Sequence, residues 1–136
     1  MSAESPSAEI LWNMYPRLQE ETYVFCQVAD ARLTDVIANS LCIFREGEGM
    51  CVILPQYLAR QHGLAASIPF RQITLQILSG FSTIQLTAIV TGALADAGIA
   101  ANVITALRHD HIFVPEDSAE RALQLLCGIS NRAHYT

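Results

Sequence analysis

The chain contains a degenerate internal repeat with an offset of 60 residues, and this repeat restricts the possible folds more than any other feature. Residues 41–55 align with residues 101–115 without a gap, so that Pro55 falls on Pro115 and one hairpin pattern falls on another. A helical pattern follows each aligned segment. A strand pattern at 23–28 corresponds to residues 72–77 only if the first repeat has lost most of the helix that follows its first strand.

Within each repeat the residue pattern predicts a β-α-β-β-α unit. Apolar and β-branched runs predict strands at 23–28, 41–45, 50–54, 71–78, 99–107 and 111–114, and helical spacing or capping predicts helices at 31–38, 55–62, 83–97 and 117–127. The helix at 83–97 has the clearest start, because Ser82 and Gln85 fit a capping box. The predicted turns are residues 46–49 and 108–110. We therefore expect an α+β fold of two ferredoxin-like pseudo-repeats whose antiparallel sheets are covered by helices.

The repeat predicts four segments: an N-terminal arm (1–21), a degenerate first repeat (22–68), a second repeat (69–130) and a C-terminal tail (131–136). The only candidate linker, residues 64–70, is short and apolar. Neither repeat has all six elements of a ferredoxin-like unit, so we expect the two halves to share strands within one cooperative body.

Composition excludes some partners and favours another. The eight basic residues are scattered and the net charge is −5, whereas a nucleic-acid surface needs clustered Lys and Arg. Apolar residues make up 51% of the chain and charged residues only 15%. A monomer of this composition would expose a large hydrophobic patch, so we predict a homodimer or a larger homo-oligomer.

The sequence predicts a cytoplasmic protein without a membrane segment. Residues 1–7 lack the basic and apolar regions of a signal peptide, and the most apolar stretch, 86–107, is interrupted by Asp96 and Gly98. The four cysteines, at positions 26, 42, 51 and 127, form no C-x-x-C pair. We interpret them as reduced, buried thiols, with a disulfide as the less favoured alternative.

Several motifs resemble those of a known family. They are 23–26 (YVFC), 44–49 (FREGEG), 52–55 (VILP), 73–75 (ITL), 86–88 (LTA), 98–99 (GI), 102–103 (NV) and, most specifically, 109–115 (HDHIFVP). In this order they cover roughly residues 22–127, and they resemble a family of small bacterial proteins built from two ACT domains. The resemblance implies ACT architecture and a regulatory module that binds an amino acid or a similar metabolite. It implies no catalytic residue.

The loop before the helix at 83–97 is the candidate ligand site. It leads into a helix N-terminus, where free backbone N–H groups and the helix dipole favour an anion such as the carboxylate of an amino acid. Candidate acceptors for the ammonium group of the ligand are Asn102, Asp110 and backbone carbonyls of the neighbouring strand. The predicted site therefore comprises Ser79, Gly80, Phe81, Ser82, Thr83, Asn102 and Asp110. The alternative is purely structural: Ser82 caps the helix and the loop holds water.

Other functions have weaker support in the sequence. His109 and His111 lie two residues apart and could contact one metal ion, but a structural zinc site needs four ligands, and Asp110 between them is typical of a tight turn. No nucleophile elbow, phosphate loop or carboxylate pair indicates an enzyme or a cofactor. The alternative to ligand binding is a ligand-free module for homodimerisation or protein interaction.

Overall fold

A computed structural model describes residues 13–76 and 83–134, with side chains for 13–76 and 85–131. The chain divides into two compact units: a smaller one, Glu21–Phe70, and a larger one, Met1–Glu20 with Arg71–Thr136. The elements are β1 (Arg17–Val28), α1 (Leu33–Val36), β2 (Cys42–Glu46), β3 (Gly49–Pro55), α2 (Gln56–Gln61), β4 (Phe70–Gln76), α3 (Thr83–Asp96), β5 (Asn102–Thr105), β6 (His109–Pro115) and α4 (Ala119–His134).

The smaller unit is a three-stranded antiparallel sheet in the order β2-β3-β1. Here β1 contributes its residues from Glu21 onward. One face of the sheet packs with α1 and α2 around eight buried residues: Val24, Cys26, Val28, Val36, Val52, Leu54, Leu58 and Ala59. Single 3₁₀ turns flank α1, and α2 is followed by Gly63 in the left-handed conformation (φ +63°).

In the larger unit the strand order is β1-β4-β6-β5, with the first residues of β1 as an edge strand. Arg71 fixes this edge, since its guanidinium donates two hydrogen bonds, of 2.6 and 3.1 Å, to the carbonyl of Gln19. The apolar sides of α3 and α4 cover one face of the sheet. The core between them contains Met14, Ile73, Leu75, Leu86, Val90, Leu94, Ile99, Ile112, Val114, Ala119, Ala122, Leu126 and Ile129. Two helices on one face of an antiparallel sheet form a ferredoxin-like arrangement, as predicted.

The pairing registers confirm the repeat at the level of single residues. Cys42 pairs with Ile53 in the first hairpin, and Asn102 pairs with Phe113 at the same place in the second. The loops correspond as well: residues 47–48 connect β2 to β3, and residues 107–108 lie between β5 and β6. A backbone hydrogen bond of 3.0 Å from Ala106 to His109 closes the second loop. Pro55 and Pro115 end equivalent strands.

Four local predictions are wrong. The strand predicted at 99–107 is only Asn102–Thr105, because Ile99 lies in the connection after α3, where it packs into the core of the larger unit. The second turn is residues 107–108 rather than 108–110, so His109 and Asp110 are strand residues. The last helix continues through Gly128 to His134, because the buried Ile129 extends its apolar face. The first strand begins at Arg17, six residues before the predicted start. The boundaries of the four predicted segments stay a prediction. None of the helices in the described ranges is long and apolar enough to cross a membrane.

Candidate functional site

Asp110 is a buried carboxylate on the helix-covered face of the larger unit. Successive strand residues alternate between the two faces, so Asp110 shares its face of β6 with Ile112 and Val114, which belong to the core beneath α3 and α4. Only 1% of its surface is exposed. A buried carboxylate at this depth is unusual unless it has hydrogen-bond partners or an opposite charge.

The hydrogen bonds available to Asp110 are incomplete. Its register partner on β5 is Thr105, whose hydroxyl donates a hydrogen bond to the carboxylate. The other oxygen, Oδ1, has no hydrogen-bond partner among the described residues. Burial raises the pKa of Asp110 above its ordinary value, while the Thr105 hydroxyl and His111 act in the opposite direction. The site therefore stabilises the ionised carboxylate only weakly.

The opposite face of the same sheet carries a polar network centred on His111. Its Nδ1 lies 2.9 Å from Gln72 Nε2 and 3.5 Å from Thr74 Oγ1, and Gln19 Nε2 donates to Thr74 Oγ1 at 3.3 Å. The rings of His109 and His111 are 6.0 Å apart. Burial, and then the neighbouring His109, lower the pKa of His111, so His111 is neutral near pH 7 and accepts the hydrogen bond from Gln72.

The residues of the predicted site fall into three groups. Ser79, Gly80, Phe81 and Ser82 lie outside the described residues. Thr83 is the first residue of α3, as the capping pattern predicts. Asn102 and Asp110 are both in the β5–β6 hairpin, but they are not close to one another.

Asn102 and Asp110 lie at opposite ends and on opposite faces of the β5–β6 hairpin. Asn102 pairs with Phe113 and is exposed, whereas Asp110 pairs with Thr105 and points into the core side. Within one copy of the chain, Asn102 and Asp110 therefore cannot contact the same small ligand at once. The structure separates the two candidate acceptors, and only Asp110 shares the face covered by α3.

Three residues of this region have no signal in the sequence. Thr105 is the side-chain partner of Asp110, and Gln72 and Thr74 are those of His111. In the sequence, a Thr or Gln within a strand pattern cannot be told from an ordinary surface residue. Among the described residues, no group of three or more His, Cys, Asp or Glu side chains could hold a metal ion. His109 and His111 thus have no third ligand of these types in that part of the chain. The four cysteines are free thiols, but only Cys26 is buried as predicted; Cys42, Cys51 and Cys127 are partly exposed.

The chain belongs to the ACT domain family. One ACT domain match covers residues 3–71 and a second covers residues 67–128. The two matches follow one another along the chain, as the internal repeat predicts, and they identify the protein as a tandem ACT-domain protein. No curated protein matches the chain in sequence.

Several solved structures are similar to this chain. A protein of unknown function from Vibrio cholerae, described as a possible transport protein, is 40% identical, with a TM-score of 0.80 over 90% of this chain and 94% of that one. A protein from Agrobacterium tumefaciens is 16% identical, with a TM-score of 0.70 over 85% and 87%. The ligand-free regulatory subunit of aspartate kinase from Thermus thermophilus is 14% identical, with a TM-score of 0.65 over 86% and 97%. The last two similarities concern the fold alone.

Proposed function

We propose that this tandem ACT protein is a non-catalytic regulatory module that binds a free amino acid. The observation that supports this most directly is the unpartnered Oδ1 of Asp110, which belongs to a residue only 1% exposed in the described part of the chain. A buried carboxylate without a full set of partners destabilises a fold by about 1–3 kcal/mol. A positively charged group from a ligand would remove this penalty, and the ammonium group of an amino acid is a suitable one.

The second half of the proposed site is the N-terminus of α3. This helix has 14 residues and begins at Thr83, so its first N–H groups have no partners within the helix and favour a carboxylate. In the proposed complex the ligand carboxylate lies against the N–H groups of residues 80–84 and its ammonium group lies against Asp110. Asn102 is not part of this site because it is on the other face of the sheet.

A thermal-shift screen over the twenty amino acids tests this function. A ligand at 100 times its dissociation constant adds about 2.7 kcal/mol to the stability of the protein. We expect at least one amino acid to raise the melting temperature of the wild type and to have no effect on Asp110→Asn. Asp117→Asn is the matched control, since this aspartate is exposed in the middle of the 3₁₀ turn Glu116–Ser118, and it should respond as the wild type does.

The outcome of the screen distinguishes an error in the proposed function from an error in the proposed site. A flat screen for the wild type rejects amino-acid binding. A response that persists in Asp110→Asn retains the function but rejects Asp110 as the ammonium acceptor. Gly80→Val should also abolish the response, because its side chain would occupy the approach to the helix N-terminus.

A ligand-free module for self-association is the second candidate. It is favoured by Phe44, which is 67% exposed on β2, the outer strand of the smaller unit's sheet. An outer strand has free backbone groups that can pair with another chain. If this is the only function, the screen is flat and the melting temperature rises with protein concentration.

A further inference from the structure

The tip of the β5–β6 hairpin presents an apolar and a positively charged side chain to solvent. Leu107 is 90% exposed, the largest exposure among the large hydrophobic residues that the structure describes, and Arg108 beside it is also exposed. The Thr105–Asp110 pair and the hydrogen bond from Ala106 to His109 close the hairpin directly beneath this two-residue loop. The tip is therefore held in place by the ladder, and little conformational entropy would be lost if it bound a partner.

The equivalent hairpin in the smaller unit, β2–β3, borders a recess, whereas the tip of the β5–β6 hairpin projects into solvent. The recess has a volume of about 220 Å³, and its lining includes Phe25, Gln27, Glu46, Glu48, Gly49 and Cys51. It exists partly because Gly49, the register partner of Glu46, has no side chain. A Cβ atom at this position would come within 3.3 Å of the Gln27 amide.

The recess has apolar walls and a negatively charged rim. Phe25 and Cys51 line it, and the ring of Phe25 is 5.1 Å from the ring of Phe70. The exposed Phe44 is outside the lining, but as the register partner of Cys51 it lies on the same face of the sheet. Burial and the nearby Glu46 raise the pKa of the Cys51 thiol, which is therefore neutral. Glu46 and Glu48 supply the charge, and neither has an ion-pair partner in the described part of the chain.

We propose that the hairpin tip of one copy, Leu107 and Arg108, inserts into this recess on a second copy of the chain. Leu107 would pack against Phe25, Phe44 and Cys51, and the guanidinium of Arg108 would face the carboxylates of Glu46 and Glu48. The two turns occupy equivalent positions 60 residues apart, yet one is acidic and the other basic. This opposite charge at equivalent positions is the reason for choosing a second copy as the partner.

The contact joins different surfaces of the two copies, so it is heterologous and can continue from copy to copy or close into a ring. Its area is small, and small interfaces are weak and transient. Self-association through this contact should therefore depend on protein concentration, and salt should weaken it because the charges are exposed. A metal ion is a poor alternative occupant, since no cluster of three suitable ligands exists among the described residues.

Sedimentation velocity over a concentration series, at low and high salt, tests the proposal. Leu107→Ser should lower the association constant about tenfold or more, because it removes a fully buried leucine from the contact. Tyr57→Ser is the matched control: Tyr57 is 58% exposed in the smaller unit and is not part of the recess. It should associate as the wild type does.

A charge exchange gives a second, independent result. Arg108→Glu and Glu48→Arg should each weaken self-association. An equimolar mixture of the two variants should recover it, since a tip that carries a carboxylate then meets a recess that carries a guanidinium. Glu116→Arg, at an exposed position outside the recess, should not replace Glu48→Arg in the mixture. The proposal is overturned if Leu107→Ser associates like the wild type, if Tyr57→Ser weakens association equally, or if the charge-exchanged mixture does not recover.

Discussion

Replacing Asp110 with asparagine should stabilise the ligand-free protein near neutral pH. The wild-type carboxylate is 1% exposed, and its Oδ1 has no partner among the described residues. Asparagine has almost the same shape and can still accept the hydrogen bond from Thr105, but it carries no charge to desolvate. Asp110→Val removes the polar group altogether, and valine suits a strand position that faces an apolar core.

The expected gain follows from the cost of an unsatisfied buried group, about 1–3 kcal/mol. In a chain of 136 residues, each kcal/mol shifts the melting temperature by about 4 °C. Asp110→Asn should give the smaller gain, because its amide N–H groups then lack acceptors, and Asp110→Val the larger one. Asp117→Asn, which changes an exposed carboxylate, should leave the stability within about 0.5 kcal/mol of the wild type.

The raised pKa of Asp110 also determines in which direction the stability of the fold changes with pH. Burial raises the pKa of Asp110 above 3.8 in the folded protein, so between pH 3.8 and that raised pKa the folded state binds more protons than the unfolded state. The contribution of Asp110 to stability is therefore most favourable below pH 3.8 and declines as the pH rises through this window. The stability difference between Asp110→Asn and the wild type should grow with pH and then become constant.

Urea denaturation of the three variants and the wild type, from about pH 3.5 to about pH 8, measures these differences across the window in which the carboxyl group titrates. The reasoning is refuted if both Asp110 variants are less stable than the wild type at neutral pH. That result would mean that the ionised carboxylate has stabilising partners in the folded protein without any ligand.

Three further predictions concern other parts of the molecule. Gly92→Ala should raise the free energy of unfolding by about 0.5–1 kcal/mol, because Gly92 lies inside α3 with open space around a Cβ atom. Gly63→Ala should lower the free energy of unfolding, since Gly63 has φ +63°. Chemical denaturation measures both changes. NMR titration should place the pKa of His111 below 6.5. The fold should therefore lose stability as the pH falls from 6.5 through that lowered pKa. Gln72→Leu should change the pKa, because it removes the hydrogen bond to Nδ1. Light scattering at micromolar concentration should give a mass above that of one chain, and a monomer would contradict the homo-oligomer predicted from composition, whereas the weaker contact of the hairpin tip is tested by the sedimentation series.

The hairpins could be predicted because several local signals agree. The glycines at 47 and 49 mark the first turn, and the 60-residue alignment transfers its register to the second hairpin, where the structure confirms it. The position of α3 follows from its capping pattern and from Gly98, whose φ of +72° is unfavourable for other residues. Family membership follows from motifs in the same order along the chain.

The errors arise where residue type and structural role disagree. Leu107 and Arg108 form a turn although neither is a turn residue, while Asp110, a residue typical of turns, is inside a strand. Gly128 suggests a helix end, but packing of the buried Ile129 outweighs the cost of a glycine inside α4. The ligand site stays a prediction at residues 79–82. The separation of Asn102 from Asp110 depends on where the second turn lies, and the residue pattern places that turn too late in the chain.

The shortened helix of the first repeat has a consequence for how the chain opens. Where the second repeat has the 14-residue α3, the first has the four-residue α1 between two 3₁₀ turns. Among the described residues, the core of the smaller unit has eight buried members and that of the larger unit thirteen. Amide hydrogen exchange reports local opening, which requires least free energy where few apolar contacts must be broken. The amides of β2 and β3 should therefore exchange before those of β4 and β6. The two halves would then differ in hydrogen-exchange protection while keeping the same strand register.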